Sequence, residues 1–108
     1  MSTPQSILRV YETGPRVVIG FGEGCHLGEL DIEESRKEIS QLLKQHNSQV
    51  LAIDLTGVQV VPSAVLGLWA SIHRNGVAVH LYNASAELRE VLEITRLSQL
   101  LQLKDGHP

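Results

Sequence analysis

Near the middle of the chain the residues Val50-Leu51-Ala52-Ile53-Asp54-Leu55 form an apolar run broken only by one carboxylate. A strand with one wet face alternates apolar and polar residues, so a run that is apolar at nearly every position marks a strand covered on both sides. Such a strand is central in a parallel or mixed sheet flanked by helices. The residues after it fit that frame. Thr56-Gly57 carries turn chemistry, a second short apolar run ends at Pro62-Ser63, and Val65, Leu68, Trp69 and Ile72 then recur at i, i+3, i+4 and i+7. The spacing predicts a helix over 64–75, with Gly76 as its left-handed stop and Trp69 on its core face. With 108 residues and 43% hydrophobic content the chain can bury one core.

The rest of the chain extends the same layer. Residues 1–6 are polar and loose, and Ile7, Leu8, Val10 and Tyr11, alternating incompletely with Arg9 and Glu12, give a first strand. Thr13-Gly14-Pro15 then turns the chain into the β-branched run from Arg16 to Gly22, which makes an N-terminal β-hairpin. The stretch GFGEGCHLG, 20–28, carries four glycines and is expected to be an irregular loop. Asp31 followed by Glu34 fits a capping box for a helix over 32–46, with Ile32, Ile39, Leu42 and Leu43 on its inner face. Asn47 and Ser48 end that helix. Val77 to Tyr82 gives a further strand, Ser85 caps a third helix with an apolar stripe of Leu88, Val91 and Leu92, and Leu97, Leu100, Leu101 and Leu103 form a closing segment, part helical turn and part strand. The expected fold is a single α/β domain, 1–108, built as one mixed sheet with helices packed against it and loose ends at 1–6 and 104–108.

Composition removes several classes of function. The net charge is −3 and the nine Lys and Arg are scattered along the sequence, which disfavours nucleic acid. The single cysteine, Cys25, cannot close an internal disulfide, and the N-terminus lacks a signal-peptide pattern, so a cytoplasmic location is the default expectation. No apolar stretch approaches the roughly 20 residues that a membrane span requires. His26, His46, His73, His80 and His107 show no zinc-ligand spacing, and neither metal nor cofactor is expected. Nor can a nucleophile, a base and an orienting group be assembled, so an enzyme is the least favoured class. The glycine-rich stretch 20–28 misses the phosphate-loop spacing, and Glu23 within it would repel an anion.

Two polar residues remain to be explained. Ser63 stands at the start of the second helix, where its hydroxyl can cap the amide of Val65 or Leu66. The same position also suits phosphorylation, since the positive end of the helix tolerates the incoming charge. Asp54 closes the buried strand, where it either accepts hydrogen bonds from the Thr56-Gly57 turn or orients the Ser63 hydroxyl.

The run LAIDLTGVQVVPSAVLGLWASIHRNGVAVHLYNASAELREVLEITRLSQLLQL resembles the STAS domain of bacterial anti-sigma-factor antagonists. Asp54-Leu55 resembles that family's strand end, Ser63 falls on its phosphoacceptor serine, and Leu66-Gly67 on the Leu-Gly after it. Gly28-Glu29-Leu30-Asp31 and Val91-Leu92-Glu93-Ile94-Thr95 are similar to the motifs at its first and third helices. The resemblance implies a non-enzymatic adaptor in partner switching: it binds an anti-sigma factor that is also a serine kinase, and phosphorylation of Ser63 breaks the complex. The expected contact surface is Asp54, Thr56, Pro62, Ala64 and Leu66. In three places the chain departs from the family pattern. Pro62 replaces an acidic residue, Val65 replaces a glycine and adds bulk two residues past Ser63, and Arg96 stands where a glycine often ends the third helix. Two alternatives keep the fold: a constitutive scaffold or homo-oligomerising module without a switch, and a domain sensing a small ligand through 20–28.

Overall fold

In the computed structural model the described residues are 8–21, 27, 31–58 and 60–106. Five strands, β1 (Leu8–Glu12), β2 (Arg16–Phe21), β3 (Val50–Asp54), β4 (Ala78–Tyr82) and β5 (Leu101–Lys104), form one sheet in the order β1-β2-β3-β4-β5. Helices α1 (Ile32–Gln45), α2 (Ser63–Arg74) and α3 (Ala86–Ile94) join the parallel strands, and a 3-10 turn, Leu97–Gln99, leads into β5. The β1–β2 pair is antiparallel, with a bulge between Val10 and Glu12, and the other three pairings are parallel. The mixed sheet with its N-terminal hairpin is the expected architecture. Gly20 and Phe21, shared between the expected strand run from Arg16 to Gly22 and the expected loop 20–28, belong to the strand as the last residues of β2, while the rest of that loop lies outside the described residues apart from buried Leu27.

Local chemistry accounts for the element boundaries. The Asp31 carboxylate accepts from the Glu34 amide at 3.0 Å and starts α1, whose first turn also carries Glu33 and Glu34 at the positive end of the dipole. The Ser85 hydroxyl accepts from the Leu88 amide at 3.1 Å and starts α3. Gly76, at φ 96°, follows the end of α2. Arg96 takes the equivalent position after α3 with φ 61° and ψ 16°, so a residue with a Cβ occupies a left-handed conformation that glycine adopts most readily.

Each parallel connection advances one strand in the same direction, so right-handed crossovers put all three helices on one face. The core agrees. Val17, Ile19, Leu51, Ile53, Val79, Leu81 and Leu101 of the sheet pack with Ile39 and Leu43 of α1, Val65, Leu68, Trp69 and Ile72 of α2, and Leu88 and Leu92 of α3. Trp69 stacks on Phe21 with ring centroids 6.4 Å apart. Val91 is exposed rather than part of the α3 stripe, because only a narrow strip of that helix meets the sheet.

On the other face, among the described residues, no helix flanks β3, where the sequence led to the expectation of helices on both sides. Val18 and Ala52 are buried, yet they stand outside the helix-covered core. Arg16 on β2 reaches across β3 to donate to the Tyr82 hydroxyl on β4 at 3.2 Å, with its guanidinium 5.6 Å from the centre of that ring. Tyr11 lies against Gly20, where a Cβ would come within 2.5 Å of the ring. Long side chains therefore shield the middle of this face where a helix layer usually would. Among the described residues no helix is long and apolar enough to cross a membrane.

Candidate functional site

The carboxyl ends of β3 and β4 carry a hydrogen-bonded cluster. Asp54 Oδ1 accepts from the Thr56 amide at 3.0 Å, the Thr56 hydroxyl at 2.6 Å and the Asn83 side-chain amide at 3.0 Å, and Asn83 also donates to Thr56 Oγ1 at 3.1 Å. The turn reading of Asp54 is thus the one these three bonds support, since none of them goes to Ser63. Asn83 takes φ 59°, a left-handed conformation that asparagine tolerates, and this aims its amide back at β3. The Leu55 amide donates to the Tyr82 carbonyl at 2.9 Å and ties the same two strand ends together. Sequence reasoning passed over Asn83. The signal is an asparagine directly after a strand, a residue type that tolerates the left-handed conformation.

Beyond the cluster the chain folds back under its own side chains. Leu55, Val58 and Val61 are buried, whereas Val60 is 70% exposed. Pro62 then serves as the N-cap of α2 with φ −61° and ψ 150°, and its carbonyl accepts from the amides of Val65 at 3.0 Å and Leu66 at 3.1 Å. This corrects the capping role expected of Ser63. Proline has the extended backbone that an N-cap needs, and the helix begins at Ser63, one residue earlier than expected, without a side-chain cap. Ser63 is the first helical residue and is exposed, with no hydrogen bond to its hydroxyl among the described residues.

Of the residues expected to meet a partner, Thr56 and Ala64 are exposed, and Asp54 and Pro62 are half-buried. Leu66 is not available. It is 2% exposed and points into the core, because the apolar face of α2 begins at Val65 and Leu66. Val65 likewise faces inward at 1% exposure, so the bulk expected beside Ser63 lies beneath the surface. The outward face of the first two turns instead presents Ser63, Ala64 and Gly67, and a Cβ on Gly67 would meet nothing within 4 Å. The result is a shallow surface of small residues, flanked by Val60 and with one free-standing hydroxyl. Among the described residues no group of three or more His, Cys, Asp or Glu is placed to hold a metal.

The STAS domain family model matches residues 28–107, which covers β3, the cluster and all three helices. The chain belongs to the STAS family. Two solved structures share the fold. The NMR structure of the protein TM1081 superposes with a TM-score of 0.72 at 16% identity, covering 98% of this chain and 86% of that one. The anti-sigma factor antagonist SpoIIAA in its unphosphorylated form gives a TM-score of 0.71 at 22% identity, covering 93% of this chain and 88% of that one. Among curated proteins no significant match was found. The STAS assignment accounts for the order of elements, while the site has to be argued from its own residues.

Proposed function

We propose that this STAS domain is a non-enzymatic, cytoplasmic protein-binding adaptor in a bacterial partner-switching pathway, regulated by phosphorylation of Ser63. Its partner is an anti-sigma factor with serine kinase activity, and the contact runs over Thr56, Val60, Pro62, Ala64 and Gly67 beside the Asp54 cluster. The observation that carries this reading is the state of Ser63. A serine at the first position of a helix, exposed and without a capping role, contributes little to the fold. It is also accessible to a kinase, at a helix end where a phosphate's negative charge is tolerated. The inward orientation of Val65 supports the same reading, since the departure closest to the serine adds nothing to the surface. The similar structure of SpoIIAA, an anti-sigma factor antagonist in its unphosphorylated form, points the same way.

In this scheme the unmodified surface docks on the kinase, and a dianion at its centre adds desolvation cost and repulsion that end the complex. The test combines phosphopeptide mass spectrometry after incubation with the partner kinase and ATP with calorimetric binding of Ser63→Ala and Ser63→Asp. Expected are a single phosphate on Ser63, wild-type affinity for Ser63→Ala, and at least about tenfold weaker binding for Ser63→Asp. An unmodified Ser63 together with unchanged binding of Ser63→Asp would overturn the reading.

A further inference from the structure

The sheet face opposite the helices has no covering layer among the described residues, which is unusual for parallel strands. Strand alternation and register bring Arg16, His80, Tyr82 and Lys104 onto that face, with Arg9 beside them on β1 and Tyr11 laid over Gly20. Three of the chain's nine cations therefore gather on one face of a molecule whose net charge is −3. Glu12 pairs with Arg16 at 3.7 Å, and Asp54, at the end of the face, is held by Thr56 and Asn83. Burial, with Lys104 and Arg16 beside it, holds the His80 pKa below its usual value.

The same chain carries a second surface of opposite character. On α3 the exposed residues Glu87, Glu90, Val91 and Ile94 fall at i, i+3, i+4 and i+7, on the side turned away from buried Leu88 and Leu92. Ile94 is 74% exposed, the most open large apolar side chain among the described residues. Two apolar residues flanked by carboxylates complement two tyrosines flanked by cations.

We infer that this chain self-associates head to tail, the outer stripe of α3 from one copy lying across the tyrosine- and cation-bearing sheet face of the next. The neighbouring helix supplies a layer where the described residues provide no helix. Ile94 and Val91 meet the tyrosine rings, and Glu87 and Glu90 meet the cations. Exposed ion pairs add little affinity, so the apolar contact holds the copies together while charge sets their orientation. The two surfaces differ, so the contact is heterologous and repeats along a row of copies unless its rotation closes a ring. Neither surface includes Ser63, and failure of this inference leaves the adaptor reading untouched.

Sedimentation velocity on the full chain from micromolar to millimolar concentration tests it, with Arg16→Glu damaging the sheet face and Ile94→Glu damaging the helix. The wild type should gain mass with concentration and lose only a small part of it in high salt, because the apolar contact is not screened. Each variant alone should self-associate about tenfold or more weakly. An equimolar mixture should form a dimer and nothing larger, because only one intact pair of surfaces remains. Circular dichroism checks folding, and Lys104→Glu replaces Arg16→Glu should the latter unfold. A wild type that stays monomeric at millimolar concentration, association unaffected by either variant, or a mixture that fails to pair would each overturn the inference. So would a monomer whose Tyr11 and Tyr82 resonances shift on adding a single-stranded oligonucleotide or an acidic peptide, since the face would then serve a different partner.

Discussion

Gly67 lies within α2, where glycine is the least favourable residue apart from proline, because the unfolded chain gives up more backbone freedom there. Replacing it with alanine isolates that effect. Gly67 is exposed, and an added Cβ would meet no atom within 4 Å, so neither strain nor a cavity term enters. The gain is then the propensity difference, about 0.8 to 1.0 kcal/mol. For a domain of this size that corresponds to a rise in melting temperature of about 4 to 8 °C. Urea denaturation followed by circular dichroism measures it, and the slope should not change because the same surface is exposed on unfolding. A neutral or destabilised Gly67→Ala would refute the claim that this position is sterically open. Binding supplies a second readout. A methyl group on the proposed contact surface holds a partner away, so the stabilised variant should bind the proposed kinase partner less tightly. Full affinity would remove Gly67 from the interface and leave the stability argument intact.

Capping chemistry separates two serines that look alike in sequence. Ser85→Ala should cost about 1 kcal/mol by freeing the Leu88 amide, whereas Ser63→Ala should stay within about 0.5 kcal/mol because Pro62 holds the cap position, and paired thermal melts compare them. Arg96→Gly should stabilise the fold by about 0.5 to 1 kcal/mol, because relief at φ 61° outweighs the added freedom of the unfolded chain, and urea midpoints would show it. His80 gives a pH dependence. Burial first, then Lys104 and Arg16, lower its folded pKa, so below pH 6.5 the unfolded chain binds the proton more readily and stability falls as pH falls toward the folded value. Melting temperatures between pH 8 and 5 should drop less for His80→Gln than for the wild type, and parallel profiles would count against this cause.

The order of strands and helices was legible because it rests on local signals that the fold does not override. The Asp31 and Ser85 caps, the left-handed Gly76 and the apolar run of β3 each determine their own neighbourhood. Two features needed tertiary context. Proline and serine are both good residues at a helix start, and which of them takes the cap depends on the buried register of Val61, Val65 and Leu66, which lies beyond any local pattern. The burial of Ala52 was predicted correctly and its cause was not. A continuous apolar run reports that a strand is covered, but cannot tell a helix layer from an arginine and a tyrosine meeting across it. The basic face stayed hidden for the same reason, since Arg9, Arg16, His80 and Lys104 come from four strands and are scattered in sequence.

The corrected start of α2 also constrains how a switch at Ser63 can work. Pro62 has no N–H, and the amides of Val65 and Leu66 already donate to its carbonyl, so those of Ser63 and Ala64 are left outside the helix's own ladder. The first turn of α2 carries no acidic residue. A phosphate on Ser63 would thus arrive beside two amides and the positive end of the helix, an environment that favours negative charge instead of expelling it. On the proposed reading, modification at this position would leave α2 folded. Buried Val65 and Leu66 anchor the same turn from below and oppose any local unfolding that could carry the signal elsewhere. The message of the phosphate must then be read at the surface, by a partner that loses its fit to Ala64 and Gly67, and the two forms of the domain should share one fold while differing in what they bind.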